Sequence, residues 1–201
     1  MIDLHTHTFL SDGELLPSEL VRRAKAAGYK VIGISDHVDG TNVEAVAASI
    51  LKLAGKASFY EGITVVPGVE ITHVPPGLIG EMIQTARRLG ILYVVVHGET
   101  LSEPVQRGTN MAAIKGGADI LAHPGLITEE EVSLAKEKGV LLEITARKGH
   151  SLANGHVGKL AKQGGAGLVF DTDSHGPSDL VSDFQARRIT RGAGLDEEDF
   201  E

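Results

Sequence analysis

Ile2-Asp3-Leu4-His5-Thr6-His7 opens the chain as a short apolar run that ends in two imidazoles. In a strand, residues i and i+2 share a face, so His5 and His7 are expected to point to one side and hold one metal ion. The same pattern recurs along the sequence. Strand-like runs at 1–7, 31–35, 63–70, 92–97, 119–122, 140–145 and 167–171 alternate with helical stretches at 17–28, 80–90, 104–116, 128–139 and 155–164. A further helix begins near Asn42 and includes 49–56. Nearly every run ends in a ligand-type residue: Asp36-His37, Glu70, His97, His123, Glu143, and Asp171 with Asp173 and His175. An open doubly wound sheet gathers such residues at one crevice, whereas a closed barrel brings all strand C-termini to one mouth. Ligands from all the runs favour the barrel, an α/β fold with parallel strands.

Local signals agree. Pro17 starts one helix and Gly28 follows it. Thr128 and Glu131 read as a capping box. The Gly116-Gly117 and Gly164-Gly165 pairs read as helix terminators, not phosphate cradles.

Composition narrows the chemistry. The 201 residues suit a single domain spanning 1–201. There is no cysteine, so thiolate chemistry and disulfides are excluded and a reducing, cytoplasmic setting is expected. Any metal must be held by His, Asp or Glu, a donor set for Zn first, with Mn or Fe as alternatives. The start lacks a basic signal-peptide region, and no apolar stretch approaches the about 18 residues of a membrane span. A net charge of −8 argues against nonspecific nucleic-acid binding but leaves room for a small phosphorylated substrate at a local metal site.

Several residues read as ordinary. His73 lies in a Pro-rich loop as a rim residue. His150 and His156 flank a turn into a helix, with surface or capping roles, although His150 is within reach of the mouth. Glu143 and Asp171 are read as hydrogen-bonding partners of ligands. Asp3 is set aside, and Glu99 is either a hydrogen-bonding partner or solvated. Arg147, just past the sixth run, is the best-placed cation for a phosphate. The acidic segment 195–201 reads as the first turn of a helix from about residue 196 that stops before it can bury a face.

Six separated motifs together resemble the PHP (polymerase and histidinol phosphatase) domain family. They are Asp3-Leu4-His5-Thr6-His7-Thr8 with Ser11-Asp12-Gly13, Ile34-Ser35-Asp36-His37, Pro67-Gly68-Val69-Glu70, Val96-His97-Gly98, Leu121-Ala122-His123-Pro124-Gly125 and Asp173-Ser174-His175. The resemblance implies a distorted seven-stranded (β/α)7 TIM-like barrel carrying two to three divalent transition-metal ions. By position, His5, His7, Glu70 and Asp173 would hold the first. Glu70 would bridge to a second with His97 and His123, and Asp12, His37 and His175 would hold a third. Some histidinol phosphatases carry His one residue beyond the Asp12 position. The implied reaction is hydrolysis of a small phosphomonoester of the histidinol-phosphate type, with Glu70, Asp173 and Arg147 as catalytic residues. A hydroxide bridging the metals would be the nucleophile. A phosphodiesterase on nucleotides or short oligonucleotides and a non-catalytic interaction module are the alternatives. Here the connections are short, so no dedicated substrate cap is expected.

Overall fold

The computed structural model describes residues 1–56 and 62–199. Its strands are β1 (Ile2–Asp3), β2 (Val31–Ile34), β3 (His37–Val38), β4 (Thr64–Ile71), β5 (Tyr93–His97), β6 (Ile120–Ala122), β7 (Leu141–Thr145) and β8 (Leu168–Asp171). Its helices are α1 (Pro17–Ala26), α2 (Val43–Ala54), α3 (Pro76–Arg88), α4 (Thr109–Gly116), α5 (Glu129–Lys138), α6 (Asn154–Gly164) and α7 (Asp183–Gly192). All pairings are parallel, in the order β1-β2-β4-β5-β6-β7-β8. β2 and β3 form one interrupted stave: β2 pairs with residues 64–67 of β4, and β3 pairs with Glu70 and Ile71. Seven staves therefore make a nearly closed barrel. The seam between first and last is stitched by a Thr6–Ser174 bridge, by His7 N–H donating to Ser174 O (2.8 Å) and by Leu4 N–H donating to Asp171 Oδ1 (2.6 Å).

Strand parity sorts the side chains. On β5, Val94 and Val96 pack outward into the main core under the helices, while Tyr93 and Val95 join Ile120 and Ala122 in a small inner cluster. His97 shares the parity of Tyr93 and Val95, so it points into the barrel. On β4 the same rule places Val66, Gly68 and Glu70 inside and Val65, Val69 and Ile71 outside. The inner cluster is capped by Tyr93, whose ring lies against the backbones of Gly33 and Gly68 and whose hydroxyl donates to Leu4 O (2.7 Å). The barrel is thus filled with carbon at its base and with ligand-type residues at its mouth.

Some expected boundaries shift. β1 ends at Asp3, so His5 and His7 sit past its last regular pair, not within the strand. α3 begins at Pro76, because the ring at the first helical position is already set for helix. α4 begins only at Thr109: Glu99 Oε1 accepts from Gly108 N–H (2.8 Å) and Asn110 N–H (3.1 Å), so Glu99 pins the start of that helix. α7 is additional to the expected helices, and its Ser182–Gln185 capping box was its available signal. Gly117 and Gly165 end α4 and α6 with φ of 79° and 69°, the left-handed conformation of a terminator. The acidic end is a turn over residues 196–199 within the described chain, its Asp196 and Asp199 both accepting from Lys162 at 2.7 Å; Phe200 and Glu201 lie outside the described residues. No described helix is long and apolar enough to cross a membrane.

The capping box at Thr128 is complete: its side chain accepts from Glu131 N–H, and Glu131 accepts from Thr128 N–H. Thr128→Ala is expected to cost about 1 kcal/mol, measured as a lower urea midpoint with an unchanged slope.

Candidate metal centre

The mouth collects all nine expected ligands into four overlapping groups. These are His5–His7–Glu70, His5–His123–Asp173, Glu70–His97–His123 and His7–Asp12–His37–His175, with the donor atoms of each group within 4.8 Å of one another. Glu70 is shared by two groups and lies at the centre, fully buried. His37 faces it directly across the β3–β4 register.

Local backbone geometry delivers these side chains. Regular pairing ends at Ala122 and Asp171, and just beyond, His123 and Asp173 adopt φ of 27° and 51°. Positive φ is costly for a residue with a side chain and persists only where its surroundings enforce it. Here it turns both residues into the ligand cluster. Asp12 arrives by another route. Asp36 accepts from Thr8 N–H (2.7 Å), Thr8 Oγ1 (2.8 Å) and Ser11 Oγ (2.7 Å), folding the loop after His7 back over the mouth. Asp12 Oδ1 then stands 3.2 Å from His175 Nε2 and 3.4 Å from His37 Nε2.

The donors fit cations. His5 Nε2, both ring nitrogens of His7, Glu70 Oε1, His97 Nδ1, His123 Nδ1 and Asp173 Oδ1 are buried and lack a hydrogen-bond partner. Leaving a buried polar group unsatisfied costs about 1–3 kcal/mol, so a convergent set of them needs an occupant. The carboxylates are held in the charged form. Burial favours the neutral acid at Glu70, yet His5 and His37 outweigh it and hold Glu70 well below the usual carboxylate range. Asp173 is likewise held low against burial, by His5 and His7, and Asp12 by His175 and His37. The cage keeps its carboxylates anionic. Among the imidazoles, burial and then the neighbouring His37 push His7 down to about 3. His37 itself overcomes burial through Glu70 and Asp12 and rises to about 10.

A second layer anchors the ligands. Glu143 Oε1 bonds His5 Nδ1 (2.6 Å), and its Oε2 accepts from His123 N–H (2.8 Å). Burial pushes Glu143 up. Asp171 holds the backbone of Leu4 rather than a ligand side chain, and burial, with Asp3 and Glu143 nearby, pushes it well up. Asp3, set aside on the sequence, is fully buried: it accepts from His5 N–H (3.2 Å) and Thr172 Oγ1 (2.6 Å), and burial raises it to about 6.

Above the cage is a cavity of about 470 Å³ whose lining includes Asp12, Asp39, Glu103, Arg147 and His150. Arg147 is the lone Arg or Lys along it among the described residues; its Nη1 donates to Asp179 Oδ2 (3.2 Å), which also accepts from His175 and Gly176 N–H. His150 is not a surface or capping residue: it stacks on His123 with centroids 4.2 Å apart, facing the cavity. His156 bonds Ile127 O (2.7 Å), and His73 sits at the rim against Glu103 (3.1 Å). Glu103 was missed. It lies in a Ser-Glu-Pro loop where no periodicity marks it, and only the fold brings it to His97.

The fold and site define a β/α barrel with a buried His and carboxylate cage, able to hold metal ions, at the C-terminal ends of its strands. The chain matches the PHP domain model over residues 3–96. It is 43% identical over 201 residues to an uncharacterised protein of Methanocaldococcus jannaschii, spanning 99% of this chain and 92% of that protein. It is 27% identical over 212 residues to a probable phosphatase of Shewanella pealeana, spanning 96% and 84% of the two. A two-domain protein of Bacteroides vulgatus, described as containing a predicted PHP-like metal-dependent phosphoesterase, shares the fold with a TM-score of 0.53 at 17% identity, over 95% of this chain and 55% of that one. The chain belongs to the PHP domain family.

Proposed function

We propose that this chain is a metal-dependent phosphoesterase that hydrolyses a small phosphomonoester of the histidinol-phosphate type. The observation that carries the reading is the set of unpartnered buried donor atoms converging on Glu70 beneath a cavity that holds a cation, Arg147. The phosphatase name of the Shewanella relative supports the same chemistry. His5, His7, Glu70 and Asp173 would hold one divalent ion, Glu70 with His97 and His123 a second, and Asp12, His37 and His175 a third. Zinc suits these donors first, with manganese or iron as alternatives. Bound there, such ions supply Lewis acidity that activates water at neutral pH and neutralises phosphoryl oxygens.

The protein's own residues do the rest. Glu70 and Asp173 stay ionised and set the spacing of the charges. Arg147, oriented by Asp179, would take a phosphoryl oxygen not facing the cage. Asp39 and Glu103 also line the cavity and suit a leaving group that carries positive charge. His150 faces the space where that leaving group would depart.

Arg147→Ala is expected to lower kcat/KM for a phosphomonoester by about ten- to a hundredfold, the loss of one charge-assisted hydrogen bond worth about 1.5–3 kcal/mol. Metal content should be unchanged. An unaltered kcat/KM would remove Arg147 from the site. The substrate class is tested with a panel of p-nitrophenyl phosphate, histidinol phosphate and bis-p-nitrophenyl phosphate. Preference for the diester would favour the phosphodiesterase alternative.

A further inference from the structure

Three imidazoles from three separate elements, the end of β5, the loop after β4 and the 3-10 turn after β7, point at one carboxylate on the cavity rim. Glu103 Oε2 stands 2.9 Å from His97 Nε2 and 3.1 Å from His73 Nε2, and its Oε1 stands 3.4 Å from His150 Nε2. The other nitrogen of His97, Nδ1, is buried, has no hydrogen-bond partner and lies 3.4 Å from Glu70 Oε1. The two nitrogens of His97 thus face different worlds, one the cage and one Glu103.

The same division occurs at His5. Its Nδ1 bonds Glu143 at 2.6 Å, while its unpartnered Nε2 faces Glu70 at 3.4 Å. A histidine that ligates a metal through one nitrogen commonly gives its other N–H to a carboxylate, which fixes the tautomer and ring orientation and raises its basicity. Glu143 performs this from the buried floor. Glu103 occupies the equivalent place for His97 from the rim.

The carboxylate is held from two sides. His73, in the loop after β4, adopts a φ of 54°, an unfavourable conformation for a side-chain-bearing residue. His150, in the 3-10 turn His150–Ala153 after β7, is itself held through Nδ1 by Thr100 Oγ1 (2.7 Å) and Ser102 Oγ (3.0 Å) of the Glu103 loop.

We propose that Glu103 is the positioning residue of His97, holding it as the Nε2–H tautomer so that Nδ1 is presented to the ion shared with Glu70 and His123. The proposal rests on the metal-centre reading above. The donor atoms of His73, His97 and Glu103 also lie within 4.8 Å of one another; Glu103 is assigned to His97 and not to an ion, with His73 and His150 bracing it.

The test is cobalt affinity, not turnover. The apoprotein and its Glu103→Ala, Glu103→Gln and His97→Ala variants are titrated with Co²⁺ against a chromogenic chelator, with visible absorption read in parallel. Glu103→Ala is expected to weaken one ion by about 10- to 100-fold while the saturating stoichiometry holds. Glu103→Gln, whose carbonyl can still accept from Nε2–H, should lose less. In the His97→Ala background, Glu103→Ala should add no further loss.

Loss of a whole ion at saturation in Glu103→Ala would overturn the proposal by making Glu103 a ligand. So would an undiminished affinity, or an equal further loss in the His97→Ala background. Failure of the unaltered protein to bind any cobalt would sink the metal-centre reading and this proposal with it. Ordinary cobalt binding with an indifferent Glu103→Ala would sink the proposal alone.

Discussion

Glu70→Gln is expected to reduce phosphoester turnover by about a thousandfold and to strip metal from the protein. Glu70 is the residue on which the ligand groups converge, shared between His5–His7 and His97–His123. Gln preserves its volume but removes the charge. It also places an amide N–H₂ among imidazole nitrogens that need to keep their lone pairs free. Metal charge stabilisation is worth several kcal/mol in such reactions, and about 1.4 kcal/mol corresponds to a decade in rate. His73→Ala, at the rim, should cost less than about tenfold. The check is kcat/KM with metal content measured on the same samples. Equal losses in the two variants would contradict the arrangement of the site.

Gly68→Ala is expected to be a strongly destabilising single-methyl change in the barrel. A Cβ at Gly68 would overlap Cζ and both Cε atoms of the Tyr93 ring. The ring cannot withdraw, because it is walled by Gly33 on the neighbouring strand and tethered to Leu4 O through its hydroxyl. Overpacking of this kind costs about 1–3 kcal/mol where the core can adjust. The upper end applies here, equivalent to a fall in Tm of about 6–12 °C for a chain of this size. The measurement is thermal unfolding of Gly68→Ala, Tyr93→Leu and the double variant. Shrinking the ring should make the Gly68→Ala penalty largely vanish; simple additivity would show that the two residues do not share the space.

The reach of the sequence follows a physical line. Residues delivered by strand parity were legible, because a period of two and a run of β-branched residues fix which way Glu70 and His97 point. His5 and His7 were legible as a pair but for a partly wrong reason. β1 stops at Asp3, and what directs them is the seam to Ser174 and the backbone bonds to Asp3 and Ser35, not regular strand geometry. His123 and Asp173 depend on positive φ, which no sequence pattern announces for residues other than glycine. Glu103 and Asp3 were not legible, and His150 only as a residue within reach of the mouth. Asp3 acquires its role from Thr172 and His150 from Thr100, both distant in the chain, and Glu103 from distant His73 and His150 as well as nearby His97.

The division of labour in the mouth is also physical. The floor of the cage is built from buried carboxylates, Asp3, Asp171 and Glu143, which burial pushes toward the protonated form. The candidate ligand carboxylates above them, Glu70, Asp173 and Asp12, are held ionised by neighbouring imidazoles. Two layers of acids with opposite tendencies let one small barrel keep negative charge where cations would sit without stacking it through the whole interior.

The most direct test of the central claim is hydrolysis of p-nitrophenyl phosphate by protein of known metal content. Protein carrying two to three divalent ions per chain should release p-nitrophenol, chelator-stripped protein should not, and readdition of zinc or manganese should restore the rate. A metal-replete sample that cleaves neither this ester nor its diester counterpart would contradict the phosphoesterase reading.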